Sequence, residues 1–208
     1  QWLTADGKAN FNTPAGVEAL NYMTNMVKEG SALVLKPKEY KSDYFNQGRV
    51  AMIGSSTASY AYIKPADGSE WGVAPLYKGK NAAVPLSGAN VSIISGIKPE
   101  ETKAAATFIT WLTNKESTLK WGLGETGYGP VRKSALNDDR WKKFATDKPM
   151  YGLLGDALTN GVIQVNHPQW QAVQNEITSA VQKAFLGEDA KKLLDEAAAK
   201  ANPLLEKK

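Results

Sequence analysis

Apolar residues recur every three or four positions along much of the chain, which is the spacing of helices with one buried face. The first such stretch opens at Thr13-Pro14, because threonine can cap a helix and proline suits its first position. It runs through Leu20 and stops at Gly30. The same signals predict helices over 40–48, from 60, over 99–112 and about 115–123, after Asp138 or Asp139, over 150–158 and 168–187, and from about 190.

Three short and mostly apolar runs show no helical spacing, and they predict buried strands. The runs are 49–53, 71–75 and 91–94, and a glycine or proline closes each of them. Short strands placed between many helices predict an α/β or α+β fold.

The composition is that of a folded protein, and it removes several classes of function. Hydrophobic residues make up 42% of the 208, which is enough for one large domain or two small ones. The chain has no cysteine, so disulfides and thiolate chemistry are excluded. Its single histidine is His167, whereas zinc sites of the His-Glu-x-x-His type need two. We therefore expect no metal and no cofactor, and a Ser-His-Asp triad would have to be built on His167.

The net charge of +4 comes from lysines that are spread along the chain among acidic residues. A nucleic-acid surface needs basic residues clustered on one face, so we expect no nucleic-acid partner. Apolar runs fall short of the ~20 residues of a membrane span. The opening residues Gln1-Trp2-Leu3 lack the charged and apolar regions of a signal peptide, so we expect an export signal upstream.

A glycine cluster at 122–127 reads Gly-Leu-Gly-Glu-Thr-Gly and matches the G-x-G-x-x-G fingerprint of dinucleotide-binding turns. That fingerprint needs a strand before its first glycine and a helix after its last. Here a predicted helix precedes Gly122, and Tyr128-Gly-Pro130 cannot continue a helix. We therefore interpret the cluster as a helix end, with Gly122 or Gly124 as its left-handed cap, followed by a loop that displays the tyrosine.

The loop sequence Thr126-Gly-Tyr-Gly-Pro-Val131 resembles the T-G-Y-x-P-[VI] segment of a known family. The family is that of bacterial extracellular solute-binding proteins of the carbohydrate and glycerol-phosphate type, which are the receptors of ABC importers. Three more stretches resemble its motifs in the expected order: F-x-x-G-x-x-A-M at 45–52, G-V-x-P at 72–75, and the segment before the T-G-Y helix at 87–89. The resemblance covers nearly the whole chain but only the second half of such receptors, which are about twice as long.

The resemblance implies a type II periplasmic-binding-protein-like fold, in which two α/β lobes close on a ligand by hinge bending. By analogy, 1–81 and 135–208 belong to the C-terminal lobe, and 82–134 is the segment that crosses back into the N-terminal lobe.

The same resemblance implies which residues face the ligand cleft. Gly88, Ala89 and Tyr128 would face it from one side. Ser55, Ser56 and the helix that begins at Pro168 would face it from the other.

A neutral sugar needs hydroxyl and amide partners and an aromatic platform for its apolar face. Ser55 and Ser56 offer hydroxyls where a predicted strand ends, and a helix cap explains the same residues. Many relatives carry a tryptophan just after this position, whereas here Tyr60 supplies the platform or belongs to the core. Gly88 and Ala89 allow a close approach of the backbone to a ligand, or simply serve the hinge.

The helix near Pro168 offers two further ligand contacts, Trp170 and Gln171. Trp170 either stacks on a sugar or packs at the helix start. Glycerol-phosphate receptors of this family carry an arginine near the position of Gln171, and its absence here favours a neutral ligand. Arg132 either compensates for the missing arginine or, as we favour, is a solvated charge next to Pro130. We interpret His167 as a loop or capping residue, and the tryptophans at 71, 111, 121 and 141 as packing.

We therefore expect the substrate-binding component of an ABC importer, which binds a neutral sugar or oligosaccharide and delivers it to the membrane permease. The alternative is a glycerol-phosphate or phosphodiester receptor of the same fold. A glycoside hydrolase with two carboxylates is a third hypothesis, but Glu125 is the only acid in the Tyr128 loop. We expect no enzyme activity, a monomer, and a location that is extracellular, lipid-anchored or periplasmic. We also expect weak binding by the chain alone.

Overall fold

The computed structural model describes residues 1–36 and 38–207, with side chains described in these ranges except at 155–159. The chain divides by its contacts into two compact units: unit 1 comprises Gln1–Lys38 with Val165–Lys208, and unit 2 comprises Glu39–Gln164. These units have other boundaries than the predicted lobes, 1–81 with 135–208 and the crossing segment 82–134. The assignment of residues to lobes stays a prediction. Pro37 and Lys208, which fall inside the predicted segments, lie outside the described residues.

The described chain is mainly helical, and a helix lies at each predicted position, although the one predicted from 60 is a 3-10 helix that begins at Thr57. Helix α8 begins two residues later than predicted, while α5 and both strands were not predicted at all. In chain order the elements are α1 Pro14–Lys28, α2 Lys41–Asn46, a 3-10 helix Thr57–Tyr62, β1 Val84–Leu86, α3 Pro99–Leu112, α4 Lys115–Leu123, α5 Lys133–Leu136, α6 Asp139–Asp147, α7 Pro149–Thr159, β2 Gly161–Ile163, α8 Trp170–Phe185 and α9 Ala190–Leu205.

The predicted cap of α1 is confirmed, because the Thr13 side chain accepts a hydrogen bond from the Gly16 N–H. In unit 1 this helix packs with α8 and α9 around one core. Alanines on α8 and α9 allow the two helix axes to approach closely. The N-terminal segment is joined to α9 by side chains, since Asn202 accepts from the Ala9 N–H at 2.9 Å. The buried core residues on the three helices include Leu20, Val173, Ala180, Ala184, Leu193, Leu194, Ala197, Ala198 and Ala201.

Unit 2 has its own core, which is formed by α4, α5, α6 and α7 and is rich in aromatic rings. Trp141 is buried there, which confirms the packing interpretation for this tryptophan. Trp71 is half-buried and lies against the rings of Phe45 and Tyr60, with centroids at 6.4 and 5.2 Å. The buried members of the core are Leu119, Ala135, Trp141, Met150 and Tyr151.

The three predicted strands, 49–53, 71–75 and 91–94, are wrong for the described chain, where these segments have no ladder. A strand exists only beside a partner to which its backbone can hydrogen-bond. The one ladder among the described residues pairs β1 with β2 in parallel, with Val84 opposite Gly161. An isolated bridge between Leu3 and Ala9 is the only other pairing described.

The packing interpretation is also wrong for two tryptophans. Trp111 on α3 and Trp121 on α4 are each 59% exposed, and Phe108 beside Trp111 is exposed as well. Among the described residues, no element covers the surface of α3 formed by Phe108 and Trp111. Amphipathic spacing identifies the face of a helix that can be buried, and only tertiary packing shows whether it is buried.

The N-terminus of α6 is held by a network of ion pairs. Asp138 caps the helix by accepting from the Arg140 N–H, as predicted, and also accepts from the Arg140 Nε at 2.9 Å. Lys115 at the start of α4 lies 2.9 Å from the same carboxylate, and Arg140 forms two hydrogen bonds with Glu116. These bonds, above all those from Arg140, lower the pKa of the Asp138 carboxyl well below its ordinary value.

We expect Asp138→Asn to lower the Tm by a few degrees at pH 7, although asparagine can still cap the helix. A carboxyl with a depressed folded pKa stabilises the fold above its unfolded pKa of ~3.9, and loses this effect as pH falls toward the folded value. The Tm difference from the unmodified chain should therefore shrink below about pH 4, as followed by circular dichroism. Asp139→Asn is the matched control, because the Asp139 side chain is almost fully exposed. A difference that stayed constant from pH 7 to pH 2.5 would contradict this account.

Candidate ligand-binding site

The loop after α4 has an unusual backbone, which decides how Tyr128 is displayed. The helix ends at Leu123 as expected, but its cap Gly124 has φ −77°, so the predicted left-handed glycine cap is wrong. The left-handed residues lie further on, at Glu125 with φ 56° and Gly127 with φ 80°. The left-handed residue that ends the helix is therefore Glu125, directly after the cap, and not a glycine.

Gly127 is buried and in close contact with the start of the 3-10 helix. A methyl group placed on its Cα would lie 2.3 Å from the carbonyl oxygen of Thr57 and 2.7 Å from the Cα of Ala58. Backbone atoms cannot give way as a side chain can, so both the conformation and the space require glycine here. The Gly127 N–H donates to the Tyr151 Oη at 3.0 Å.

The rest of the loop is anchored on α6 and α7. Glu125 forms an ion pair of 3.2 Å with Lys148, the residue between these two helices. A methyl group on Gly129 would lie 3.3 Å from the Leu154 side chain of α7, so the backbone runs close to that helix. Tyr128 stands between these anchored residues and is 42% exposed, so its phenol is open to a ligand.

Ser55 and Ser56 are exposed and lie directly before the 3-10 helix. Ser56 caps that helix, because its hydroxyl accepts from the Ala58 N–H at 3.3 Å. Ser56 precedes Thr57 and Tyr128 follows Gly127, so both adjoin the contact described above. The structure thus brings together two of the segments that the sequence proposed for ligand binding.

Tyr60 is half-buried and belongs to the aromatic cluster of unit 2. Its ring lies 5.2 Å from the Trp71 ring and 6.0 Å from the Tyr151 ring, centroid to centroid. These contacts favour the core interpretation of Tyr60 over the platform. Tyr62, which the sequence did not single out, is 72% exposed in the same short helix.

Gly88 and Ala89 follow the C-terminal end of β1 and are exposed. A methyl group on Gly88 would meet no atom within 4 Å. The backbone here is accessible, which is compatible with the predicted close approach to a ligand, and that role stays a prediction.

In unit 1, the burial of Trp170 favours packing over the stacking prediction. Its side chain is only 7% exposed within the core, and the Trp2 ring lies edge-on at 6.2 Å. Gln171 is exposed, and its amide donates to the Asn175 side chain. His167 lies in the loop before α8, which is one of its two expected roles, and its Nδ1 accepts from the Gln169 N–H at 3.1 Å.

Among the described residues, no three His, Asp or Glu side chains lie close enough together to hold a metal ion. Within the same residues, every helix is too short or too polar to cross a bilayer. The Ser56 and Tyr128 segments carry hydroxyl, phenol and backbone polar groups. Such groups suit recognition of a polar organic ligand.

The fold is that of type II solute-binding receptors. The structure of UgpB from Mycobacterium tuberculosis in complex with glycerophosphocholine superposes with a TM-score of 0.81 at 28% identity, over 95% of this chain and 50% of that one. A maltose-bound protein of T. maritima, at 22% identity, shares the fold with a TM-score of 0.78 over 98% of this chain and 54% of its own.

The chain belongs to the bacterial extracellular solute-binding protein family, whose model matches residues 1–148. The sn-glycerol-3-phosphate-binding periplasmic protein UgpB of Rhizobium meliloti is 27% identical, over 95% of this chain and 47% of its own length. The putative ABC transporter periplasmic-binding protein YcjN of Escherichia coli is 32% identical, over 67% of this chain and 33% of its own. The chain thus spans about half the length, or less, of the relatives it matches.

We expect Gly127→Ala to destabilise the chain by about 2–4 kcal/mol, because a left-handed φ and a backbone clash add together. Urea unfolding followed by tryptophan fluorescence would measure the loss. Gly79→Ala is the control, since Gly79 has open space around it and no positive φ. Equal stability of the two variants would show that the contact with Thr57 is not formed.

Proposed function

We propose that the chain is part of the substrate-binding component of an ABC importer, and that it binds an uncharged sugar or polyol. The proposal rests on one observation above all. In a member of the solute-binding family, an exposed phenol, Tyr128, and an exposed hydroxyl, Ser56, adjoin the same buried backbone contact.

The chemistry of this surface suits a sugar. A pyranose presents hydroxyls around its rim and apolar C–H groups on its faces, so it needs polar partners together with an aromatic ring. Ser55 and Ser56 supply hydroxyls, and the backbone around Gly88 is open to hydrogen bonding. The Tyr128 ring supplies the aromatic surface.

The charges near the Tyr128 loop bear on whether the ligand is charged. An anionic phosphate is best held by an arginine that can donate two parallel hydrogen bonds. The Arg132 Nε donates to the Thr113 carbonyl, and Lys148 is paired with Glu125. Lys148 is therefore neutralised by a carboxylate, whereas the bond to a neutral carbonyl leaves Arg132 charged and its other N–H groups available to an anion.

A glycerophosphodiester is the second candidate ligand. The observation that favours it is the similarity to UgpB proteins over 95% of the chain, including the structure that contains glycerophosphocholine. On this hypothesis Arg132 or a cation from outside the Tyr128 loop would hold the phosphate, since Gln171 carries no charge.

The proposed protein performs no chemistry on its ligand. Hydrolysis of a glycoside uses two carboxyl groups at a fixed separation, and the acid of the Tyr128 loop, Glu125, is occupied by Lys148. Closure of the complete receptor around the ligand would present it to a membrane permease, outside the cytoplasmic membrane. We infer a monomer that is either periplasmic or anchored to the cell surface.

Calorimetry and thermal shift with maltotriose, ribitol and glycerophosphocholine would test the proposal at millimolar concentration. We expect Tyr128→Ala to weaken binding of the preferred ligand about tenfold or more, as loss of a central aromatic contact does. Tyr40→Ala is the matched control, because Tyr40 is also an exposed tyrosine of unit 2 but lies outside both proposed ligand segments, and it should bind within about twofold of the unmodified chain. Release of free sugar on prolonged incubation would reject a purely binding role, and preference for glycerophosphocholine would select the second candidate.

A further inference from the structure

Tyr151 is a buried side chain with no place in the ligand chemistry described above. It lies near the start of α7 and is 1% exposed. Three rings surround it, with centroids at 4.7 Å for Phe144, 5.9 Å for Trp141 and 6.0 Å for Tyr60. Because these rings come from α6 and from the 3-10 helix, the position of the Tyr151 ring is determined by packing on two elements.

The hydroxyl of Tyr151 carries a specific hydrogen bond into the Tyr128 loop. It accepts from the Gly127 N–H at 3.0 Å in a buried environment. Burial raises the pKa of the Tyr151 phenol, so the group remains neutral at physiological pH. A buried N–H that lost this acceptor would be left without a partner, and such groups are costly.

Tyr151 therefore contacts both segments that carry proposed ligand groups. Its hydroxyl holds Gly127, the residue before Tyr128, and its ring lies against Tyr60, in the short helix that Ser56 caps. The close approach of Gly127 to Thr57 completes the connection between these segments.

We propose that Tyr151 is a positioning residue, which sets the Tyr128 loop against the Ser56 segment without touching the ligand. That the positioned surface binds a ligand rests on the proposed function. The hydrogen bond between Tyr151 and Gly127 does not depend on it. Tyr151→Phe tests it, because this change keeps the packed ring and removes the acceptor for the Gly127 N–H.

The first measurement is hydrogen exchange by NMR on the 208-residue chain, labelled with ¹⁵N-glycine and ¹⁵N-tyrosine. In Tyr151→Phe we expect the Gly127 amide to exchange roughly tenfold faster or more, and the Tyr128 amide resonance to shift. The glycine amides outside this loop should keep their exchange rates. Unchanged exchange at Gly127 and an unmoved Tyr128 resonance would overturn the proposal.

The second measurement separates positioning from stability. Phe144→Leu loosens the packing around Tyr151 but keeps its hydroxyl, so it should lower the Tm and speed Gly127 exchange no more than that of other buried amides, with ligand affinity within about twofold. Tyr151→Phe should weaken binding of maltotriose or glycerophosphocholine about tenfold at a temperature where both variants are folded. Equal affinity of the two variants for a ligand that binds the unmodified chain would overturn the positioning role alone. If neither compound binds the unmodified chain, the proposed function fails for these ligands, and the exchange measurement decides the positioning role.

Discussion

The close approach of Gly127 to the Thr57 carbonyl is the constraint on which the candidate site depends. A side chain at this position would overlap backbone atoms, and the left-handed φ of 80° would itself strain any other residue. Because the contact joins two loops directly, rather than through flexible side chains, it fixes Ser56 and Tyr128 as near neighbours. A binding surface of a few polar groups gains affinity when such groups are held in place before the ligand arrives.

The loop and the core of unit 2 support each other. Glu125, Gly127 and Gly129 are each held from α6, α7 or the residue between them, so the loop is built onto these helices. Helix α6 is in turn tied to α4 through the charges of Asp138, Arg140 and Glu116. A single exposed ion pair contributes little to the folding free energy. Ion pairs that share one capping carboxylate also define the geometry of the helix start. The result is a rigid base under a partly exposed tyrosine.

The two candidate ligand classes differ mainly in charge. Sugars and glycerophosphodiesters share hydroxyl groups and apolar faces, and the serine and tyrosine groups of the described surface suit both. A phosphate also needs a cation: Lys148 is neutralised by Glu125, whereas Arg132 keeps its charge beside the Thr113 carbonyl. The matched proteins include ones for both kinds of ligand, so family membership does not choose between these ligands and leaves the choice to the chemistry of the site.

The sequence by itself determined the helices, their caps at Thr13 and Asp138, and the solute-binding family, because these depend on local spacing and on short motifs. It excluded a dinucleotide turn at 122–127, since the elements on either side of a motif can be read locally. Tertiary structure alone decided that 91–94 forms no strand, and that Trp111 is exposed and Trp170 buried. It also decided that the left-handed residue at the end of α4 is Glu125 and not Gly124. The role of Tyr151 was also invisible, because the partner of a buried hydroxyl lies elsewhere in the chain. Burial and strand pairing depend on which distant segments meet, and no local pattern carries that information.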